Sequence, residues 1–191
     1  MSIKKKSVWR EWVESIVVAF VLAMFIRAFI IQAFKIPTGS MRPTLIEGDI
    51  ILVNKFIFGA KIPFTEYRLP ALRNPKRGDV VVFIYPENPK KDFIKRLVAT
   101  GGETVEIKDG TIYVNDKPLL EPEFGKRYYY NRGEYGQENK KITVPPDGLF
   151  VLGDNSASSQ DSRYWGFVPR QNLLGKAIII YWPPQRIRII K

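Results

Sequence analysis

The apolar and polar residues divide the chain into two parts with different patterns. Near the N-terminus, basic residues and two tryptophans precede the unbroken apolar run 16–26, which Arg27 interrupts. The apolar residues surround a helix on all sides instead of forming one stripe, as expected for a helix in lipid. Residues 13–33 give 21 mostly apolar positions, and about 20 are needed to span a bilayer. The pattern therefore predicts a transmembrane helix over 13–33.

Two other interpretations of this segment stay open: a buried core helix, and a cleavable secretory signal. The second lacks a clean small-x-small cleavage site after the apolar run. Arg27 costs about 2.5–3.5 kcal/mol at the centre of a membrane helix, but its long side chain can extend toward the headgroups. The lysines at 4–6 place the N-terminus in the cytoplasm by the positive-inside rule. We therefore expect one uncleaved anchor, with everything from about Phe34 exported.

The rest of the chain has the pattern of short β-strands. These segments are β-branched or aromatic and are bounded by Gly, Pro or Asp; they are 48–56, 78–85, 92–100, 141–146, 148–154 and 175–183. Residues 103–116 alternate around Asp109-Gly110, a dipeptide preferred in type I′ turns, and predict a hairpin. Residues 58–78 and 117–140 are rich in Pro, Gly and Tyr and predict long loops.

The expected fold class is therefore mainly β: an N-terminal transmembrane helix followed by an antiparallel, β-rich domain with long loops. The predicted boundaries are 1–33 for the cytoplasmic N-terminus and anchor, and 34–191 for the exported domain. A chain of 191 residues is long enough for one domain with such an appendage.

Composition excludes several kinds of chemistry. The chain has no histidine and no cysteine, which rules out Ser-His-Asp and Cys-His mechanisms, disulfides and the common zinc sites. Its net charge of +11 comes from scattered basic residues, without a helix-turn-helix, zinc finger or RNP motif. We expect no metal, no cofactor and no nucleic-acid partner. A solvated basic surface is one interpretation of this charge, and attraction to anionic lipids is the functional one.

A candidate nucleophile lies just after the apolar segment, in KIPTGSMRPTL (35–45). Ser40 lies between Gly39 and Met41, and prolines at 37 and 43 stiffen the backbone around it. Because histidine is absent, a base for this serine must be a carboxylate, a lysine or a tyrosine.

The predicted strand DFIKRLVAT (92–100) contains a candidate base. Lys95 and Arg96 interrupt it side by side, and with a period of two they lie on opposite faces. One interpretation is an edge strand with solvated charges, which protects against aggregation. The other is a lysine buried among apolar neighbours, where desolvation lowers its pKa toward about 7–8. Such a lysine can deprotonate Ser40 and return the proton to a leaving amine.

A third segment, GDNSASSQDSRYWGFVP (153–169), is rich in polar groups. It packs two aspartates, an asparagine, four serines and an arginine into eleven residues. By composition it is a polar turn between two strands. Asp161 and Arg163 can form an ion pair there, and a serine hydroxyl can hold an amine in position.

Four motifs in this order, IPTGSMRPTL, RGDVVVF, DFIKRLVATGG and GDNSASSQDSRYWGFVP, follow an apolar N-terminal segment. Together they resemble the type I signal peptidases of bacteria over nearly the whole chain. The resemblance implies a membrane-anchored Ser-Lys endopeptidase that removes signal peptides from exported preproteins at the outer side of the cytoplasmic membrane.

By the same resemblance, Ser40 is the nucleophile and Lys95 the general base. Ser159 orients the lysine amine, and the oxyanion hole is the backbone N–H of Ser40 with the hydroxyl of Thr38. The resemblance also implies supporting roles for these residues: ion pairs of Asp161 with Arg163 and of Asp154 with Arg96, and a Gly153 that leaves room for Lys95.

The implied substrates are preprotein signal peptides with small residues at the first and third positions before the cut. Selecting them requires shallow apolar pockets that exclude larger groups. The residues expected to form the pocket walls, or else plain core, are Phe34, Ile36, Leu45, Ile51, Val82, Phe93 and Ile94. Two alternative functions stay open: a self-cleaving Ser-Lys repressor of the SOS type and a non-enzymatic membrane-anchored scaffold.

Overall fold

The computed structural model describes residues 8–62, 65 and 67–191. An N-terminal helix, α1 (Val8–Phe29), leads after one residue into the first strand, β1 (Ile31–Lys35). At 1.5 Å per residue the helix is about 33 Å long. It is exposed along its length and is, by length and composition, able to cross a membrane. The lysines at 4–6, on which the predicted orientation depends, lie outside the described residues.

The predicted end of the apolar helix at residue 33 is wrong. The helix ends at Phe29, and residues 31–33 belong to β1, which pairs with the strand Ile50–Asn54. Five residue pairs of this ladder, from Ile31 to Lys35, provide hydrogen-bond partners that the helix cannot offer at its end. Pairing with a distant strand thus overrides the local apolar pattern.

The strands after β1 lie close to the predicted segments. In chain order they are β2 (Ile50–Asn54), β3 (Val80–Ile84), β4 (Asp92–Thr100), β5 (Thr104–Lys108), β6 (Thr111–Val114), β7 (Lys117–Pro118), β8 (Ile142–Thr143), β9 (Gly148–Leu152), β10 (Val168–Pro169), β11 (Leu173–Trp182) and β12 (Arg188–Ile189). A four-residue helix, α2 (Ser162–Trp165), lies between β9 and β10. Strand β8 is shorter than predicted because Pro145 and Pro146 follow it and lack a backbone N–H.

The strands form two antiparallel sheets. The larger has the order β1-β2-β11-β3-β4-β9-β10, with β12 paired to β11, and the smaller has the order β7-β6-β5-β8. The predicted hairpin is confirmed: β5 pairs with β6 around Asp109 and Gly110, whose φ angles of 46° and 75° suit a type I′ turn. The fold is mainly antiparallel β, as predicted.

Strand β4 lies inside the larger sheet, between β3 and β9. The edge-strand interpretation of this segment is therefore wrong. Two apolar clusters cover this strand. Leu97 packs in one of them with residues of β3 and β9, and Val98 lies in the other, which includes residues of the small sheet. Charged residues on such a strand are forced into the interior, which places Lys95 and Arg96 in buried surroundings.

Both predicted loops are largely irregular. The described part of 58–78 contains the last residue of a 3₁₀ turn (Phe56–Phe58) and an isolated bridge between Lys61 and Arg68. Residues 63, 64 and 66 lie outside the description. The segment 117–140 begins with the short strand β7 and continues in turns. It is fixed by buried side chains, since Phe124 is 3% and Tyr129 is 1% exposed.

Candidate active site

Ser40 lies on a tight turn whose backbone is held from two sides. It belongs to a 3₁₀ turn (Gly39–Met41) after β1. The side chain of Met41 is fully buried, as is that of Leu45, whose N–H donates to the Met41 carbonyl. From across the sheet, the Asn155 N–H donates to the Ser40 carbonyl at 3.0 Å and its Nδ2 donates to the Gly39 carbonyl at 3.1 Å. These contacts fix the direction of the Ser40 side chain.

Lys95 reaches Ser40 from the centre of β4. Its Nζ lies 2.7 Å from the Ser40 Oγ, within hydrogen-bond distance. Lys95 is 4% exposed and Ser40 is 9% exposed. The ring of Phe93, two positions earlier on the same face of the strand, has its centre 5.4 Å from Nζ. An amine and an alcohol are thus paired in surroundings that exclude most water.

Burial lowers the pKa of Lys95 from 10.5 to about 8, because the charged amine loses its hydration. The negative charges of Asp161 and Asp154 act in the opposite direction and raise this pKa, while Arg163 lowers it. Desolvation is the largest influence. With a pKa of about 8, roughly a tenth of the amine is neutral at pH 7, which is enough for a general base.

Asp161 and Arg163 form a fully buried ion pair behind this site. The Arg163 Nε donates to Asp161 Oδ1 at 2.8 Å, and both side chains are 0% exposed. The second carboxylate oxygen accepts the N–H of Gly153 at 3.0 Å. Arg163 also donates to the hydroxyl and carbonyl of Ser156. A charge pair removed from water needs such additional hydrogen bonds, and here they fix the turn that carries Gly153.

The space left by Gly153 is occupied by Ser159 and by the backbone of Ser40. A Cβ at position 153 would lie 2.1 Å from the Ser159 Oγ and 2.6 Å from the Ser40 carbonyl oxygen. The family resemblance implied that Gly153 leaves room for Lys95, but the three atoms nearest to such a Cβ belong to Ser159 and Ser40. Ser159 is 6% exposed, and its Oγ has no hydrogen-bond partner among the described residues. Ser159 therefore lies at the site, but it makes no hydrogen bond to Lys95.

On the opposite face of β4, Arg96 belongs to a second charged group. Its guanidinium binds Asp154 through two hydrogen bonds, Nε to Oδ1 at 2.8 Å and Nη2 to Oδ2 at 2.7 Å. The Oδ2 atom also accepts the hydroxyl of Thr44 and, at 3.0 Å, Nη2 of Arg127. We call Arg96, Asp154, Thr44 and Arg127 the support cluster.

Thr38 begins the turn that carries Ser40. It is exposed, and its side chain does not cap the turn. Neither the Ser40 N–H nor the Thr38 hydroxyl has a hydrogen-bond partner within the described part of the chain. No other described residue therefore uses either of the two donors expected for an oxyanion hole.

Six of the seven predicted pocket residues line one small cavity next to this site. Its volume is about 40 Å³, and the predicted residues in its wall are Phe34, Ile36, Ile51, Val82, Phe93 and Ile94. Lys35, Pro37 and Asp92 complete the wall. Leu45 does not line it: this side chain is fully buried in the core cluster beneath, with Ile36 and Ile51.

A larger cavity, of about 530 Å³, lies elsewhere and contains none of the predicted site residues. Phe58, Arg68 and Leu173 are among its lining residues. The Arg68 guanidinium already donates to the carbonyls of Gly59, Gln171 and Leu173. Because these hydrogen bonds already use the donors of Arg68, we place the candidate active site at Ser40 and not in this larger cavity.

Three residues of the site were not predicted from the sequence: Asn155, Thr44 and Arg127. Asn155 directly follows Asp154, and Thr44 lies four positions after Ser40, both within the motifs quoted above. A polar side chain close to a candidate site residue is the only local signal that could have identified them. Arg127 lies in the long loop, and its contact with Thr44 joins residues 83 positions apart. Nothing in the local pattern indicates that contact.

Comparison with known proteins identifies the family of the chain. A family model described as "Signal peptidase, peptidase S26" matches residues 9–182. Signal peptidase I of Pseudomonas aeruginosa is 32% identical over 219 residues, covering 97% of this chain and 77% of that protein. Probable signal peptidase I-2 of Synechocystis sp. is 38% identical over 190 residues, covering 97% and 78%.

A solved structure of a signal peptidase I from Enterococcus faecalis V583 is 35% identical, with a TM-score of 0.47, over 55% of this chain and 97% of that one. The family match and the two sequence relatives extend over most of the chain. The chain therefore belongs to the signal peptidase family, peptidase S26.

Proposed function

We propose that the protein is a membrane-anchored endopeptidase that cleaves signal peptides from exported preproteins, with Ser40 as nucleophile and Lys95 as general base. The observation that carries the proposal is the 2.7 Å distance between Lys95 Nζ and Ser40 Oγ, with both side chains buried. Membership of the signal peptidase family supports the substrate class.

In the first half of the reaction, neutral Lys95 takes the proton of the Ser40 hydroxyl while Oγ attacks the carbonyl carbon of the scissile peptide bond. The negative charge that develops on the carbonyl oxygen is stabilised by the Ser40 N–H and the Thr38 hydroxyl, two donors that no other described residue binds. The charged Lys95 then gives its proton to the leaving amine. The mature protein departs, and the signal peptide stays bound to Oγ as an ester.

In the second half, Lys95 takes a proton from water, and the resulting hydroxide attacks the ester carbonyl. The proton returns to Oγ as the bond breaks, which releases the signal peptide and restores Ser40. Ser159 has a buried hydroxyl with no partner in the described residues. Its Oγ lies beside Gly153 at the site, and the family resemblance gives this serine the role of orienting the base, so we assign it that role.

The size of the apolar cavity suits the small residues that are expected before the cut. A cavity accommodates a water molecule when it offers at least about 10–15 Å³, so a volume of about 40 Å³ admits a group of only a few atoms. Larger side chains would collide with Phe93 and Ile94, which are held in the sheet. Six of the residues that line this cavity were predicted from the sequence. We infer that the cavity receives a small side chain of the signal peptide.

Helix α1 is proposed as the single membrane anchor, with its N-terminus in the cytoplasm and the β domain on the outer side. One residue separates it from β1, and β1 carries Phe34 of the cavity wall. At about 3.3 Å per residue, Phe34 lies within about 17 Å of the helix end along the strand. A substrate emerging from the bilayer would therefore meet the site close to the membrane surface, where lipids are the other expected partners.

The test is processing of a preprotein in detergent micelles by the wild type and by Ser40→Ala and Lys95→Ala variants. We expect the wild type to release the mature protein and both variants to lose activity by at least about a thousandfold. Substitution of Lys90, an exposed lysine, to alanine is the matched control and should leave the rate unchanged. Activity in Ser40→Ala equal to the wild type would contradict the proposal and favour a scaffold.

A further inference from the structure

The segment between β7 and β8 places one cation, Arg127, against the other three members of the support cluster. The chain on either side of it is fixed: Phe124 and Tyr129 are buried in the core of the small sheet, and the Tyr129 N–H donates to the Gly110 carbonyl at 2.9 Å. The Arg127 N–H donates to the Phe124 carbonyl at 3.0 Å. Its guanidinium therefore reaches the cluster from a rigid base, not from a mobile loop.

Arg127 connects the segment that carries the nucleophile to the strand that carries the base. Its Nη2 donates to the Thr44 Oγ1 and to the Asp154 Oδ2, both at 3.0 Å. Thr44 follows Ser40 by four positions. Asp154 is bound by Arg96, whose neighbour on β4 is Lys95. One guanidinium nitrogen thus joins both sides of the Ser40–Lys95 pair from behind.

Arg127 is not needed to pair the charge of Asp154. Its side chain is 16% exposed, and Asp154 already has a complete partner in Arg96. The Nη1 of Arg127 is buried with no hydrogen-bond partner among the described residues. A buried unpaired donor reduces stability. The position of this arginine is better explained by its effect on the geometry of the site.

We propose that Arg127 is a positioning residue for the reaction: by holding Thr44 against Asp154 it fixes the distance between Ser40 and Lys95. The inference rests on the proposed function, since it concerns the same pair. It also gives the irregular segment 117–140 a role, as the structure that brings a second cation to the back of the site.

The experiment measures kcat and KM of the full chain in detergent micelles with a synthetic peptide that carries alanine at the first and third positions before the cut. Arg127→Gln removes the charge and the fork of donors. A displacement of about 1 Å at a reacting centre can reduce the rate about 100-fold. We therefore expect kcat to fall between about 10-fold and 100-fold while KM stays within about twofold.

Two further variants separate positioning from a general effect of charge. Lys126→Gln removes the same charge from an exposed neighbour and should leave kcat unchanged. Arg127→Lys keeps the charge and one donor and should give an intermediate kcat. Each kcat is divided by the folded fraction, taken from thermal unfolding, so that loss of folded protein is not counted as slower chemistry.

A double-substitution cycle tests the route through Thr44. Thr44→Val removes the hydroxyl that Arg127 binds. If both residues act through this contact, the double variant should be no slower than the slower single variant. Multiplicative losses of kcat would overturn the inference, as would wild-type kcat in Arg127→Gln or equal losses in Lys126→Gln. If Arg127→Gln does not fold, Arg127→Lys decides: its kcat should fall with KM unchanged, and a wild-type rate contradicts the proposal.

The outcomes distinguish this inference from the proposed function. Ser40→Ala is measured in the same series. If it keeps its activity, the proposed function fails. If it is inactive while Arg127→Gln matches the wild type, only the role of Arg127 fails.

Discussion

Replacement of Lys95 by methionine is expected to make the protein more stable at neutral pH while it abolishes activity. Methionine has a similar length and no charge, so it keeps the packing of a side chain that is 4% exposed. The fall of the Lys95 pKa from 10.5 to about 8 on burial means that the charged amine destabilises the folded state. Each pKa unit corresponds to about 1.4 kcal/mol, which gives about 3 kcal/mol. Loss of the hydrogen bond to Ser40 removes about 1 kcal/mol of this gain.

The difference in stability between Lys95→Met and the wild type should depend on pH, and its direction follows from the lowered pKa of Lys95. Below pH 8 the amine is charged in both the folded and the unfolded protein, so the destabilisation by Lys95 is complete. Between about pH 8 and 10.5 the unfolded chain binds more protons than the folded one, and the stability of the wild type rises with pH. The advantage of Lys95→Met should therefore be about 2–3 kcal/mol at pH 7 and should largely disappear by pH 10.5.

The assay is denaturant unfolding of the wild type and Lys95→Met in detergent micelles at several pH values from 7 to 10. Lys90→Met, at an exposed position, is the matched control and should change stability by no more than about 0.5 kcal/mol at any of them. A Lys95→Met variant that is less stable than the wild type at pH 7, or a difference that does not change with pH, would refute the argument that burial forces this amine toward its neutral form.

Three further substitutions test the surroundings of the pair. Arg163→Leu leaves the Asp161 carboxylate fully buried without its partner, so the free energy of unfolding should fall by about 3–5 kcal/mol, measured by denaturant titration. Gly153→Ala places a Cβ 2.1 Å from the Ser159 Oγ; it should destabilise the protein by about 1–3 kcal/mol and reduce kcat, and wild-type values of both would contradict the packing described. Thr38→Val removes an exposed hydroxyl, so steady-state kinetics should show kcat lower by about 10²–10³-fold with an unchanged melting temperature.

Local sequence signals predicted most of the fold. The Asp109-Gly110 turn adopts the positive φ angles that its residue types favour, and the β-branched runs became strands of the two sheets. The end of the apolar helix could not be placed from the sequence, because residues 31–33 are apolar enough for either element. Their pairing with β2 decides between helix and strand, and this pairing depends on residues that are distant in the chain.

The candidate site was predictable only in part, for a similar reason. Ser40 and Lys95 stand out through their immediate neighbours, a stiffened turn and a strand with two adjacent cations. Whether Lys95 was buried depended on which strands flank β4, and this is a property of sheet order. Leu45 belongs to an apolar motif near the site but points into the core, and Arg127 reaches Asp154 from a segment without a regular pattern. Contacts of this kind are set by tertiary packing.

The account depends on a lysine that is neutral often enough to accept a proton from a serine. The most direct measurement is kcat/KM of the wild type between pH 6 and 10 with a peptide substrate whose own groups do not titrate in this range. Since kcat/KM follows the pKa of the free enzyme and the Lys95 pKa is about 8, kcat/KM should rise with pH, reach half of its maximum near pH 8 and level off above it. A rate that is constant between pH 6 and 9, or one that rises only near pH 10.5, would contradict the assignment of Lys95 as the base.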